Sequence, residues 1–298
     1  MMVSSSATWA NPREERGPPT KLSSEVGCRD GIIPPMKTVS RAGVRHPLIL
    51  DCQNYESSIE SLARAYGTKV SKLERFLSAL DLEREYELRS ISVTEDYYLV
   101  DQFRAKFGEP SHAWDRICWF HLTRVPEGTD FSEGLLPLRL SLEKAWKTVE
   151  AAQSEKRRRA ILRRLRRVGV PDFQYKLKVG VPLHDGPYAM LVREAAFQSS
   201  SIHNHDYLRT PEIVEDICNG FKNHCGESIL VETLNALKPC IVKFEDSTDA
   251  EDLHLMRVLL YYCWLKCRGE DLCDLANTCF DGRGRIIPRS AIQSIEFV

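Results

Sequence analysis

Apolar positions recur with helical spacing twice between Ser58 and Leu82. Ile59, Leu62, Ala63 and Tyr66 form one stripe, and Val70, Leu73, Phe76, Leu77 and Leu80 form the next, with Gly67 between them. Both follow the i, i+3, i+4 recurrence of helices that bury one face. Tyr97 to Phe107 continues as a helix stopped by Gly108 and Pro110. The texture then changes. Arg116-Ile-Cys-Trp-Phe-His-Leu-Thr123 is nearly continuous in apolar and aromatic residues and predicts a buried strand, closed by a turn at Pro126. Helices are expected from Ser141 to about Glu155 and again after Lys156, the second with a narrow stripe of Ile161, Leu165 and Val168. Beyond them, strands at Tyr188–Val192, Cys240–Phe244 and Ile292–Phe297 alternate with helices at Pro211–Phe221 and Thr248–Lys266. The last helix opens on a capping box, Thr248-Asp-Ala-Glu251, and its stripe of Leu253, Met256, Leu260, Cys263, Trp264 and Cys267 reads as core packing. The pattern predicts an α+β chain, a helical segment followed by a mixed α/β body, with no internal repeat.

Residues 1–46 do not share this patterning. They are rich in Ser, Pro, Gly and charge, and cannot bury enough apolar surface to offset their ordering entropy, so a disordered tail is expected. The chain then divides into that tail, a helical domain over 47–112 and an α+β domain over 113–298. The 41 basic residues balance 42 acidic ones, which excludes a whole-molecule attraction to nucleic acid or to an anionic membrane. No window approaches the ~18 uninterrupted apolar residues of a membrane helix, and the first residues lack the apolar stretch of a secretory signal. A soluble, cytoplasmic chain is therefore expected, with no membrane partner and with mostly free, buried thiols. Cys263, Cys267, Cys273 and Cys279 cluster, as do Cys218, His224 and Cys225, but neither group has the paired Cys-x-x-Cys knuckles of zinc sites. His203-Asn-His205-Asp206 lacks a third ligand at a definite spacing, so no metal site is expected.

Two features suggest a binding module. Leu62-Ala63 and Gly67, followed by Leu73, Arg75 and Leu77, are similar to the helix-turn-helix of bacterial repressors, with a small residue in the first helix and glycine in the turn. Thr68-Lys69 replace the usual apolar-then-Ser pair, and a plain helical hairpin has the same spacing. The second helix would direct Lys69, Lys72 and Arg75 outward. Between Lys156 and Arg167 lie eight basic residues and no acid, among them Arg158, Arg159, Arg163 and Arg164. Such a helix holds phosphates, or pairs its charges with an acidic neighbour in the fold. A non-catalytic module for nucleic acid or protein is one reading of the chain.

The other reading is enzymatic. Trp119-Phe-His121-Leu-Thr123-Arg124, followed by Phe131-Ser-Glu-Gly134-Leu-Leu-Pro137-Leu138, resembles the opening motif of ADP-ribosyltransferase-like folds of the histidine type. In that family a strand ending in His-x-Thr precedes a Gly-Leu-x-Pro turn. Gly186-Pro-Tyr188-Ala is similar to the family's Gly-x-Tyr strand, although Ala189-Met190 depart from the aromatic-then-small continuation. The resemblance implies two small sheets with NAD⁺ bound between them. It implies that His121, Thr123 and Tyr188 contact the cofactor, with Arg124 near its pyrophosphate. An acidic residue, Glu245 or Glu296, would face the charge that builds on the ribose as nicotinamide leaves. A carboxylate suits that role because cleaving an N-glycosidic bond leaves positive charge on the sugar. The acceptor would be a protein or a nucleic acid. Gly-x-Ser-x-Gly, the phosphate-binding P-loop and Gly-x-Gly-x-x-Gly are absent from the sequence.

Overall fold

A computed structural model describes residues 47–88, 93–181, 185–247 and 252–298. The expected tail, the Thr248–Glu251 capping box and His184 lie outside these residues. Among the described residues no helix is long and apolar enough to cross a membrane.

The fold is α+β, built around one sheet. Its strands are β1 (Ile49–Leu50), β2 (Arg116–Val125), β3 (Tyr188–Met190), β4 (Lys238–Asp246), β5 (Cys279–Asp281) and β6 (Ile292–Phe297). They lie in the order β5-β3-β2-β4-β6, with β1 pairing β2 in parallel and the other pairs antiparallel. The described strands thus form a single sheet, where the family resemblance implies two. The reason lies in β2, which pairs with β4 from Ile117↔Asp246 to Val125↔Lys238 and takes β3 on its other edge at Phe120↔Met190. β1 and β3 join this long central pair at β2 and β6 joins it at β4, while β5 adds to β3.

The helices are α1 (Tyr55–Ala65), α2 (Val70–Ala79), α3 (Leu82–Leu88), α4 (Glu95–Phe107), α5 (Leu138–Ala151), α6 (Lys156–Val168), α7 (Phe173–Gly180), α8 (Glu212–Cys225), α9 (Leu230–Asn235) and α10 (Asp252–Arg268). Helix α1 starts four residues before its apolar stripe, at Tyr55. Asn54 caps it by accepting from the Ser57 amide, and Ser57 returns the bond to the Asn54 amide. Gly67 turns the chain into α2 at φ +57°, a conformation that side chains rarely adopt. Helix α10 buries Leu255, Leu259, Leu260, Cys263 and Trp264, and the Trp264 indole donates to the Leu80 carbonyl at 3.0 Å.

Two hydrophobic clusters result. The larger joins α1, α2, α4 and α10 to the sheet, so Leu62, Leu73 and Phe103 share a core with Trp119 and Phe244. The smaller packs Trp146 and Val149 of α5 against Leu162 and Leu165 of α6 and Ile217 and Phe221 of α8. On α6 the buried stripe is Leu162 and Leu165, with Ile161 only half-buried and Val168 exposed. The expected phase was therefore shifted: Val168 is the last residue of the helix and has passed the edge of the cluster.

Candidate functional site

His121 lies in the middle of β2, between β3 and β4. Its Nδ1 is 2.7 Å from the Tyr188 carbonyl oxygen. A carbonyl only accepts, so Nδ1 carries the proton and Nε2 keeps a free lone pair in the neutral ring. Burial pushes the imidazole pKa below its ordinary value, against the pull of the Tyr188 carbonyl, which favours the charged form. Two positions on, the side chain of half-buried Thr123 makes no hydrogen bond to another described residue.

Backbone hydrogen bonds join the motif segments around His121. Leu135 and Ile287 exchange amide-to-carbonyl bonds of 2.9 and 3.0 Å. Gly134 permits this close approach: its φ is +81°, and a Cβ there would lie 2.1 Å from the Ile287 oxygen. Leu138 donates to the Asp185 carbonyl at 2.7 Å, and Gly284 donates to the Gly186 carbonyl at 2.7 Å. The buried Asp185 carboxylate accepts the Arg139 amide at 2.7 Å and pairs with the Arg139 guanidinium, which also reaches the Gly284 carbonyl. The Gly134–Pro137 turn, the Gly186–Tyr188 strand and the 282–287 loop are thereby held together.

The sequence-derived residues do not all meet. Side chains alternate along a strand, and cross-strand partners share a face. Ile117, Trp119, His121 and Thr123 point to one side of β2. Arg124 points to the other, with Cys118, Phe120 and Leu122. Met190 opposes Phe120, which puts Tyr188 on the Arg124 side; Glu245 opposes Cys118 and Glu296 opposes Ile241, so both join it there. Glu245 pairs with Arg116 at 3.3 Å and lines a surface cavity of about 340 Å³ with Asp115, Asp246 and Gln293. Glu296 pairs with Arg193. Arg124 donates to the carbonyls of Leu208 (2.8 Å), Leu234 (3.1 Å) and Leu237 (2.9 Å), and so ties the end of α9 to the sheet.

A second group of polar residues surrounds Tyr188. Asp281 opposes it in β5. Burial, then the charges of Asp281 and Glu212, push the Tyr188 phenol up to about 12. The Tyr207 hydroxyl donates to Glu212 at 3.4 Å, and the His205 ring meets Tyr207 edge-on at 4.9 Å. No local motif marks this group, because β5 and the start of α8 bring its members together from distant parts of the chain. His205 drew notice in the sequence only as a metal ligand. Among the described residues no group of three His, Cys, Asp or Glu side chains is placed to hold a metal ion.

The basic residues are distributed differently. Lys69, Lys72 and Arg75 are exposed on α2, which packs in the larger cluster, whereas α6 belongs to the smaller one. Arg158 is held by Glu155, Glu227 and Glu232, Arg163 by Glu150, and Arg159 by the Gln153 carbonyl. Of the four arginines singled out on α6, Arg164 alone has neither an ion pair nor a side-chain hydrogen bond among the described residues. No protein-family model, curated protein or solved structure matches the chain.

Proposed function

We propose that the chain is an NAD⁺-dependent ADP-ribosyltransferase-like enzyme that cleaves the nicotinamide–ribose bond and passes the ADP-ribosyl group to a protein or nucleic-acid acceptor. The observation that carries this reading is the bond from His121 to the Tyr188 carbonyl. It presents a neutral imidazole with a free Nε2, next to an unpartnered Thr123 hydroxyl. Nε2 accepts a ribose hydroxyl, and Thr123 donates to the same end of the substrate. Tyr188, 40% exposed at the start of β3, offers its ring to the nicotinamide. The carboxylate nearest to it in the sheet is Asp281, not Glu245 or Glu296, which are committed to arginines. An anionic Asp281 would stabilise the sugar's developing positive charge. The reading requires NAD⁺ to pass the start of β3, because His121 and Tyr188 point to opposite sides of the sheet.

Calorimetric titration of NAD⁺ tests this, with His121→Ala, Asp281→Asn, Glu245→Gln and Glu296→Gln beside the wild type. Binding heat should vanish in His121→Ala. It should survive in Asp281→Asn, which should lose nicotinamide release, and both glutamine variants should bind and release as wild type. Absence of binding up to about millimolar NAD⁺, where ΔG is near −4 kcal/mol, would sink the proposal. Nucleic-acid binding through Lys69, Lys72, Arg75 and Arg164 would then be the reading to test.

A further inference from the structure

The sheet ends in two unlike edges. Strand β5 closes one edge with three residues, the last of them Asp281. Strand β6 closes the other with six, and takes β4 as its only neighbour among the described residues. The Val298 amide donates to the Pro239 carbonyl at 3.1 Å. That bond continues the register in which Cys240 faces Phe297, Ile241 faces Glu296 and Val242 faces Ile295. Hydrogen-bonded and non-bonded pairs alternate along an antiparallel ladder. The main chain of Glu296 therefore bonds Ile241, while Ile295 and Phe297 turn their amides and carbonyls away from β4, toward the open edge. The register shift at Lys243 and Phe244 lies near the start of β6 and leaves Ser294 to Phe297 regularly paired. Edge strands are commonly blunted by Lys, Pro or charge. Here β6 holds neither Lys nor Pro, and its one acid, Glu296, is paired with Arg193. The residues with outward backbone groups are apolar: Phe297 is 40% exposed and Ile295 is half-buried.

We infer that β6 pairs antiparallel with β6 of a second copy of this chain, joining two sheets into one across a two-fold axis. The strand is self-complementary in one register. With the axis at Ile295, the two Ile295 residues exchange amide-to-carbonyl bonds, Phe297 lies opposite Gln293, and Ser294 lies opposite Glu296, where its hydroxyl donates to the carboxylate. An axis at Glu296 would set two carboxylates directly opposite each other, which is unfavourable. An axis at Ser294 would place Phe297 opposite Ala291, outside the strand, and leave its outward groups unpaired. The contact is small, so the dimer is a weak one. The inference does not depend on NAD⁺ chemistry.

Analytical ultracentrifugation of the full chain over a range of concentrations tests this. The wild type should pass from monomer to dimer with a Kd of about 10–100 µM. Ile295→Pro removes the amide of both central bonds and spares the β4 ladder, because that amide faces away from β4. Ile295→Lys keeps the amide but sets two ammonium-bearing residues opposite each other, about 5.5 Å apart at Cα. Each variant should weaken dimerisation at least about tenfold, with thermal melts confirming that it folds. If Ile295→Pro does not fold, Ile295→Lys decides, since its side chain reaches solvent from a half-buried position. His121→Ala should dimerise as wild type, which separates this edge from the proposed NAD⁺ site. A chain that stays monomeric at about 300 µM would overturn the inference. So would a dimer whose Kd is the same in the wild type and in the folded Ile295 variants.

Discussion

Arg124 separates a structural role from a substrate-binding one. Its guanidinium makes three hydrogen bonds to carbonyl oxygens, two of them at the end of α9, and burial pushes its pKa below the ordinary value. Arg124→Met keeps the apolar stem and removes every donor. A hydrogen bond from a charged donor contributes about 1.5–3 kcal/mol net, but three on one half-exposed group are not additive. Water would resolvate part of the freed carbonyl surface. The expected loss is therefore about 3 kcal/mol in total, a large share of the stability of an ordinary domain. Urea unfolding measures it as a lower midpoint with an unchanged m-value. NAD⁺ titration of the same variant, at concentrations of urea far below its midpoint, should give wild-type affinity. A stability loss below about 1 kcal/mol would refute the reasoning on the carbonyls. Lost NAD⁺ binding with intact stability would place the guanidinium on the pyrophosphate instead.

Other substitutions test other parts of the fold. Gly134→Ala puts a Cβ 2.1 Å from the Ile287 oxygen at a φ of +81°, and should cost about 2–4 kcal/mol in thermal melts; wild-type stability would contradict the Leu135–Ile287 pairing. Burial raises the Asp216 carboxyl from its ordinary 3.8 to about 6 despite Lys178 at 2.8 Å. The folded state therefore holds that proton more tightly, and stability falls as pH rises from about 4 through 6, by up to about 3 kcal/mol. Asp216→Asn should remove that part of the slope in urea titrations at pH 4 and pH 7, and a variant with the full wild-type slope would contradict the assignment. On α6, Arg158→Ala should lower the midpoint of urea unfolding and Arg164→Ala should leave it unchanged. Equal effects would contradict the ion-pair assignment. NAD⁺ affinity should be flat above pH 7 and fall as the medium drops below the ordinary imidazole pKa of 6.5, because a protonated Nε2 cannot accept; tighter binding at low pH in calorimetry would refute that role.

The elements with strong periodicity were legible in the sequence. Helices α1 and α2 and strand β2 follow from the stripes of Ile59–Tyr66 and Val70–Leu80 and the Ile117–Leu122 run, and α4, α8 and β4 likewise carry several buried residues in phase. The short elements were not. Strand β5 presents only Phe280 to the core, β1 is two residues long, and α7 buries none of its residues, so periodicity has nothing to register there. The candidate site was legible only where its residues are neighbours in the chain. His121 and Thr123 share a face because they sit two apart on one strand. The position of Tyr188 and of both glutamates on the other face depends on cross-strand register, which one chain's pattern does not reveal. Asp281 and Glu212 reach Tyr188 for the same non-local reason. The run of arginines on α6 was conspicuous in the sequence, but the acids that hold Arg158 come from as far away as Glu232.

The smaller hydrophobic cluster draws α5 and α6 from before β3 and α8 from after it. It is a unit in space without being a continuous piece of chain. Cutting out residues from α5 to α8 would carry β3 away from between β2 and β5 and leave the sheet divided. The helical lobe therefore cannot be moved to another protein as a cassette or deleted as one. Any natural variation in its size must come as lengthened loops at its edges, with the strand that threads it left in place.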